Sequence, residues 1–245
     1  MQRAQDVWFG HLQSATHYNQ WIFSQLQPYV KGRTLEVGCG SGNFTALIAQ
    51  NCSELLAVDL DEGYVRQTRS RLKSYSHVNV IAADATKMES AQLFDTIIML
   101  DVLEHIEDDV AVLQKLGQML APGGTLIIKV PALESLYNSL DKAVGHHRRY
   151  TSKTLRAALN KAAYTQTALS YFNLVGILGW WLNGAKGRVT PPGDQVGWFD
   201  RCVPLFQGVE DRLGCPVGLS LFAMATGART GSQTGDRKQI SARSL

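Results

Sequence analysis

The stretch Thr34-Leu-Glu-Val-Gly-Cys-Gly-Ser-Gly-Asn43 decides the fold. An apolar run carries Glu36 near its end, glycine falls at 38, 40 and 42, and a helical pattern opens at Phe44. The order is strand, tight turn, helix. Glycines at such a turn let the backbone pass close to a ligand with no Cβ in the way. The N–H groups opening the next helix can then face that ligand. The dinucleotide fingerprint G-x-G-x-x-G would need glycine at position 43, where Asn43 stands.

Further along, Leu55-Leu-Ala-Val-Asp-Leu60 is a second apolar strand ending in Asp59, nineteen residues after Gly40. A carboxylate placed there can take both hydroxyls of a ribose. A nicotinamide enzyme would use the same device, so Asp59 points to a nucleoside without choosing among cofactors. Val80–Asp84, Phe94–Ile106 and Leu120–Ile128 follow as further strand-to-turn segments. Strands near 33–37, 54–58, 79–82, 95–100 and 124–130 alternate with helices near 44–50, 62–72 and 108–120. That alternation predicts a parallel sheet with right-handed crossovers. Thr151 or Ser152 caps a helix carrying Leu155, Ala158, Leu159 and Ala162. A strand near 166–172 and a last strand over 218–226 complete the count. Before the first strand, Tyr18, Trp21, Ile22, Leu26 and Tyr29 recur at helical spacing.

The E-x-G-C-G-S-G-N run and the four segments after it resemble, in order and spacing, the motifs of class I S-adenosylmethionine-dependent methyltransferases over residues 34–130. The resemblance implies an α/β, Rossmann-like, seven-stranded methyltransferase sheet flanked by helices. Its last strand returns antiparallel between strands five and six. It also implies a cofactor site. Gly38, Cys39, Gly40 and Gly42 would hold the methionine part, and Glu36 would act there through hydrogen bonds. Asp59 would take the ribose, Leu60 would cover the adenine face and Asp84 would accept from the adenine amino group. Ala85 and Leu100 join this cofactor set.

A narrower resemblance rests on Val130–Tyr137, Asp141, Gly145-His-His-Arg-Arg-Tyr150, Tyr171-Phe-Asn173, Gly179–Gly184 and Phe199-Asp-Arg201. These look like a bacterial methyltransferase group often encoded beside glycosyltransferases of polyprenyl-phosphate and envelope-sugar pathways. That grouping says little about substrate; our own expectation is a small-molecule or lipid-linked acceptor, with oxygen as the methylated atom. A nitrogen or carbon acceptor of specialised metabolism is the alternative. A non-catalytic cofactor-binding partner subunit is the rival from outside the enzymes.

At 245 residues with 45% apolar content, the chain suits one α/β domain with an insertion. We expect a single domain over 1–228, with a helical cap at 1–30, and a polar basic tail over 229–245. Arg229, Arg237, Lys238 and Arg243 stand against Asp236 in that tail, so it holds the whole net charge of +3. The neutral remainder argues against a nucleic-acid binder, which shows a basic face on its folded part. Cys39, Cys52, Cys202 and Cys215 form no C-x-x-C pair. With no basic start leading into a long apolar run, the expectation is a cytoplasmic location.

About 45 residues separate the last two strands, where a few are usual. No charged residue occurs from Ala162 to Ala185. The apolar run through Leu182 is too short to span a membrane, which takes about 20 residues. Pro191-Pro192 break it, and a second helical pattern follows from Trp198 to Leu213. We read 174–214 as a helical insertion with two alternatives. It is a lid over the cleft that places Trp180 and Trp181 against the acceptor or contacts a membrane surface through 174–213, or it is a helical pair packed on the sheet edge.

Asp101, Glu104 and His105 stand at i, i+3 and i+4 after the fourth strand, so one helical face would present all three. We expect the catalytic groups here. The segment resembles the E-x-x-E-H of ubiquinone-pathway O-methyltransferases and small-RNA 2′-O-methyltransferases, where such residues can hold a divalent metal. His146 or His147 would complete that set. Metal-free relatives carry E-H-I at the same place, so no metal ligand set is assigned; a base and a pocket-shaping role stay open for His105. His146, His147, Arg149 and Tyr150 are the expected substrate-binding residues, an arginine fork being suited to an anion. Salt bridges to neighbouring helices are the alternative.

Overall fold

The computed structural model describes residues 2–227. Strands β1 (Arg33–Val37), β2 (Glu54–Asp59), β3 (Val78–Ala82), β4 (Phe94–Leu100), β5 (Leu120–Pro131), β6 (Tyr164–Phe172) and β7 (Ser220–Gly227) form one sheet. Its order is β3-β2-β1-β4-β5-β7-β6. The first five strands are parallel, and β7 runs antiparallel between β5 and β6, as expected. The strand order reverses between β1 and β4, and ligand crevices open at the carboxyl ends of strands at such a point.

Nine helices surround the sheet among the described residues: α1 (Gln2–Ser14), α2 (Thr16–Leu26), α3 (Asn43–Ala49), α4 (Glu62–Arg71), α5 (Asp109–Gln118), α6 (Ser139–Val144), α7 (Ser152–Lys161), α8 (Gly176–Ala185) and α9 (Gly193–Leu213). Local chemistry starts several of them. The Asp61 carboxylate accepts from the Gly63 and Tyr64 N–H groups at the head of α4, and Asp108 accepts from Ala111 N–H at α5. Thr151, with Thr154, closes a reciprocal cap on α7.

Both faces of the sheet are covered, which is why its central strands are apolar at successive positions. Ile97, Met99, Leu126 and Ile128 point to one face, where Leu113, Leu116, Leu155 and Leu159 meet them from α5 and α7. Ile98, Ile127, Phe222 and Met224 point to the other, against Trp21, Ile22 and Leu26 of α2 and Val203 of α9.

Two expectations change. The periodic pattern beginning at Tyr18 is α2, but a separate helix, α1, precedes it. The insertion is two helices, yet α9 is largely a core element: Phe199, Val203 and Phe206 pack with α2 on the sheet. The tail over 229–245 lies outside the described residues.

Trp21 is 1% exposed, and its ring centroid lies 4.3 Å from that of Phe172. Trp21→Ala should cost about 3–5 kcal/mol in urea unfolding, as large aromatic deletions in cores do. A loss below about 1 kcal/mol would mean that α2 is not part of the core.

Candidate active site

A cleft of about 510 Å³ lies at the carboxyl ends of β1, β2 and β4. The glycine turn forms its floor. Gly38 has φ +80°, and a Cβ there would sit 2.3 Å from Val102 Cγ2. Gly42 has φ +79°, with Thr68 Oγ1 2.8 Å from any Cβ. Both positions therefore require glycine for conformation and for space. The turn is strapped down on every side. Gly38 and Cys39 N–H donate to Val58 O, Gly40 N–H donates to Asp59 Oδ2 at 2.8 Å, and Thr68 Oγ1 donates to Gly40 O at 2.8 Å. Gly42 N–H donates to Cys39 O. The turn thus offers a ligand close backbone approach, while these four N–H groups are spent on holding the turn itself.

Of the ten cofactor residues expected from the sequence, nine line this one cleft (Glu36, Gly38, Cys39, Gly40, Asp59, Leu60, Asp84, Ala85 and Leu100), and Gly42 does not. Gly42 instead closes the turn from behind, against Thr68. Asp59 also accepts from Asp61 N–H through Oδ1 at 3.0 Å. Each of its oxygens is so oriented, and each retains a second lone pair. Asp84 Oδ1 is held by the backbone and hydroxyl of Thr86, which keep its carboxyl below the usual range. Glu36 is 3% exposed with Oε2 unpartnered, and burial pushes its pKa up to about 8. Burial pushes the Cys39 thiol up as well, so it is not a nucleophile.

Glu36, Asp59, Asp61, Asp84 and Asp101 all line the cleft, and no lysine or arginine among the described residues does. Part of that acidity is already neutralised, since Lys129 pairs with Asp101, Lys87 lies 3.3 Å from Asp84 and Glu36 keeps its proton up to about pH 8; what remains favours a cation near Asp59.

At the far end the geometry departs from the expected helical face. Leu103–His105 is a single 3-10 turn, and Asp101 precedes it at φ +55°. Asp101 is gripped by one residue. Its N–H donates to Lys129 O at 2.9 Å, and Lys129 Nζ donates to its two carboxylate oxygens at 2.6 and 2.5 Å. Lys129 is 4% exposed; burial works against its charge, but Asp101 more than restores it and raises the ammonium pKa. Tyr18 lies in the same electrostatic neighbourhood, and its hydroxyl accepts from Asn173 Nδ2 at 3.2 Å.

Three groups do come together: Glu104, His105 and His146 each offer a ligand atom within 4.8 Å of the others. Glu104 is fully buried, neither oxygen has a hydrogen-bond partner, and burial pushes its carboxyl well above the usual range. His146 Nδ1 meets Asp141 Oδ1 at 2.8 Å, and His105 Nδ1 meets Gly145 O at 3.2 Å. With both Nδ1–H groups donating, both Nε2 lone pairs are available, the arrangement found behind metal-bound imidazoles. One orphaned carboxylate and two oriented imidazoles therefore fit the divalent ion that the resemblance implies. Asp101 is not part of the set, because Lys129 occupies it. Burial, with help from His146, holds the His105 pKa down at about 4, so this imidazole is neutral at pH 7, and it lines the cleft.

The expected substrate residues divide. Arg149 is 3% exposed; its Nε donates to Asp141 Oδ1 at 2.8 Å and its Nη1 to Ala132 O at 2.8 Å. Tyr150 is buried and donates to Asp109 Oδ2 at 2.8 Å. Both are committed to these partners, so the salt-bridge alternative describes this arginine. His147 is exposed and lines a smaller hollow away from the cleft. Trp180 and Trp181 do not line the cleft either. Trp180 stacks on Trp8 of α1 at 5.8 Å, and its Nε1–H donates to Asp141 at 3.3 Å, while Trp181 is 55% exposed. The helix over the cleft is α1. Its Leu12 lines the wall, and Asp6 Oδ1 accepts from Tyr64 Oη at 2.6 Å.

Lys129 and Leu12 were missed. A lysine inside Leu-Ile-Ile-Lys-Val of β5 is out of place in a strand buried on both faces, and that signal could have marked it. Asp141 had been noted without a role.

Residues 35–126 match the family described as a methyltransferase domain. Nodulation protein S of Sinorhizobium fredii is 40% identical over 96 residues, which cover 38% of this chain and 44% of that protein. An uncharacterised methyltransferase of Mycobacterium bovis is 30% identical over 128 residues, 51% of this chain and 62% of that one. The chain spans about half the length of the curated relatives it matches. Among solved structures, the N-methyltransferase NodS of Bradyrhizobium japonicum WM9 in complex with S-adenosyl-l-homocysteine aligns with a TM-score of 0.57 at 21% identity, over 86% of this chain and 85% of that one. Coclaurine N-methyltransferase bound to N-methylheliamine and S-adenosylhomocysteine aligns with a TM-score of 0.60 at 15% identity, over 86% and 72%. At these identities the structural likeness establishes the fold, a Rossmann-like methyltransferase sheet.

Zinc or manganese added to the metal-stripped protein should raise its melting temperature and bind in calorimetry. Glu104→Gln should remove both effects, since an amide is a far poorer ligand than a carboxylate. No response in the unmodified protein would mean that Glu104 is simply held protonated.

Proposed function

We propose that this chain transfers a methyl group from S-adenosylmethionine to a small-molecule or lipid-linked acceptor. The observation that carries the reading is the cleft, where the turn glycines Gly38 and Gly40, the acids Asp59 and Asp84 and the polar turn at 101–105 converge on one volume. When bound, the cofactor supplies a methyl group that is already electrophilic on a cationic sulfur. The acidic lining suits that charge. Gly38 to Ser41 would lie along the methionine part, with Glu36 beneath it, Asp59 at the ribose, and Leu60 and Asp84 at the adenine.

The protein then has to align a nucleophile and keep water out; good alignment is worth about 7–11 kcal/mol. His105 is the imidazole on the cleft wall, and with Nδ1–H turned to Gly145 its Nε2 accepts a hydrogen bond from the acceptor atom. A base whose pKa is about 4 orients a proton but does not strip an alcohol. That favours an acceptor that is nucleophilic without a strong base, an amine nitrogen before an alcohol oxygen. We therefore prefer nitrogen to the oxygen expected from the sequence, and the N-methyltransferases among the similar proteins agree with that preference. If Glu104, His105 and His146 hold a divalent ion, it would supply Lewis acidity at this end.

S-Adenosylhomocysteine should bind in calorimetry with no comparable NAD binding. Asp59→Ala should weaken it by about 1.5–3 kcal/mol, the worth of hydrogen bonds to a charged acceptor. Tight NAD binding, or an indifferent Asp59→Ala, would sink the assignment.

Burial lets Glu36 keep its proton up to about pH 8, whereas a ligand ammonium favours the carboxylate. Affinity should therefore rise with pH between about 6 and 7.5, by up to roughly tenfold per unit. Glu36→Gln should flatten the profile, and a flat profile in the unmodified protein would remove Glu36 from the site.

His105→Ala should lower kcat by up to about a hundredfold, the cost of a misplaced acceptor, with cofactor affinity nearly unchanged. Unchanged turnover would reduce His105 to a shaping role.

A further inference from the structure

The loop after α6 clamps the turn that carries His105, one residue after another. Gly145 O lies 3.2 Å from His105 Nδ1, and the His146 ring stands edge-on to the His105 ring with centroids 4.7 Å apart. His147 N–H donates to Glu104 O at 2.9 Å, and Arg148 Nη2 donates to Glu107 O at 2.7 Å. The loop is held in turn by Asp141, whose carbonyl accepts from the Gly145 and His146 N–H groups at 3.1 and 3.0 Å. The Asp141 side chain is fully buried and is not on the cleft wall. Four donors meet it: His146 Nδ1–H and Arg149 Nε–H at Oδ1, both at 2.8 Å, and Asn138 N–H and Trp180 Nε1–H at Oδ2, at 3.0 and 3.3 Å. A carboxylate offers about four lone-pair sites and no proton, so donors and acceptor sites match. Burial opposes its charge, but the His146 bond and Arg149 outweigh that. An amide in the same place would turn N–H groups toward other donors.

We infer that Asp141 is a positioning residue for methyl transfer: it orients the 145–148 loop so that the Gly145 carbonyl holds His105 in its Nδ1–H tautomer, with Nε2 bare for the acceptor atom. The inference rests on the reading of His105 given above. A neutral imidazole carries its proton on either nitrogen, and the hydrogen bond made by one nitrogen decides which. Only the Nδ1–H form can accept at Nε2; the other form would point an N–H at an N–H of the acceptor. The carbonyl that makes this choice belongs to a glycine at φ +86°, the first residue beyond α6, so its direction depends on how the end of α6 is tied down. Apolar packing could bury such a loop, but donors converging on one carboxylate also fix its direction. Trp180 brings the insertion into the same centre. Its ring stacks on Trp8 of α1 at 5.8 Å, and Arg149 Cζ lies 4.5 Å from it. The helix over the cleft therefore bears on the centre that orients the imidazole inside it.

The test reads the tautomer directly, by two-bond proton–nitrogen correlation of the imidazoles in the full chain at neutral pH. Chelator is present, so that no ion at Nε2 fixes the ring, and His105 is assigned by the signal that His105→Ala removes. The expected result is a predominant Nδ1–H form in the unmodified protein. In Asp141→Asn the ratio of Nδ1–H to Nε2–H forms should be at least about fivefold lower, the change that one net hydrogen bond gives. His77, at the β3 edge of the sheet with its Nε2 2.8 Å from Ala49 O, should keep its form, which separates positioning from a general loosening. Trp180→Phe is the milder companion should Asp141→Asn not fold: it keeps a ring beside Trp8 and Arg149, removes only the donor, and should lower the ratio at least about twofold. S-Adenosylhomocysteine calorimetry on the same samples tests the cleft separately. A tautomer shift in a protein that binds no S-adenosylhomocysteine would count against the cofactor assignment and leave the control of His105 by Asp141 established. An Nε2–H form of His105 in the unmodified protein, a ratio unchanged in whichever variant folds, or an equal shift at His77 would each overturn the inference.

Discussion

The grip of Lys129 on Asp101 is the constraint from which the rest of the cleft follows. One residue of β5 takes the backbone N–H of Asp101 on its carbonyl and the carboxylate on its ammonium. That double hold keeps a non-glycine residue at φ +55°, a conformation that ordinarily costs free energy. The reversal it produces sends Val102 against Gly38, where even a methyl group would collide, and starts the turn that buries Glu104 and presents His105. The cofactor side and the chemical side of the cleft are thus packed directly against one another. A buried ammonium without this partner would be strongly disfavoured, so the pair stands or falls together.

Much of this was legible in the chain. The glycine turn, the acids after β2 and β3 and the alternation of strands and helices are local patterns that gave the parallel part of the sheet, while the antiparallel return of β7 followed from the family resemblance. What escaped depends on contacts between distant segments. Asp101, Glu104 and His105 have helical spacing, but the segment is one 3-10 turn, and the partner of Asp101 comes from 28 residues away. The His-His-Arg-Arg-Tyr run looked like an exposed cationic mouth. Burial of Arg149 became visible only once α6 placed Asp141 beneath it.

Asp141 shows how much one buried carboxylate can organise. It is fully buried and accepts from His146, Arg149, Trp180 and the Asn138 backbone. Burial alone would raise its pKa; His146 and Arg149 outweigh that and hold it low. The same centre fixes the tautomer of His146 and anchors α8 through Trp180, which in turn stacks on Trp8 of α1. The helix over the cleft and the base of the insertion are therefore linked through one side chain. The uncharged, tryptophan-bearing insertion could be read as a lid or as helices packed on the sheet edge; the packing places α1 over the cleft and α9 on the sheet.

The acid-lined wall has a consequence for turnover. Loss of a methyl group from a sulfonium leaves a neutral thioether, so the field that draws the reactant inward acts on a species with one positive charge fewer after transfer. Lys129 already pairs with Asp101 and Lys87 lies 3.3 Å from Asp84, so the part of the wall that would feel this difference most is the stretch around Asp59. On the methyl-transfer reading proposed above, a field that draws a sulfonium inward would hold its neutral product less firmly.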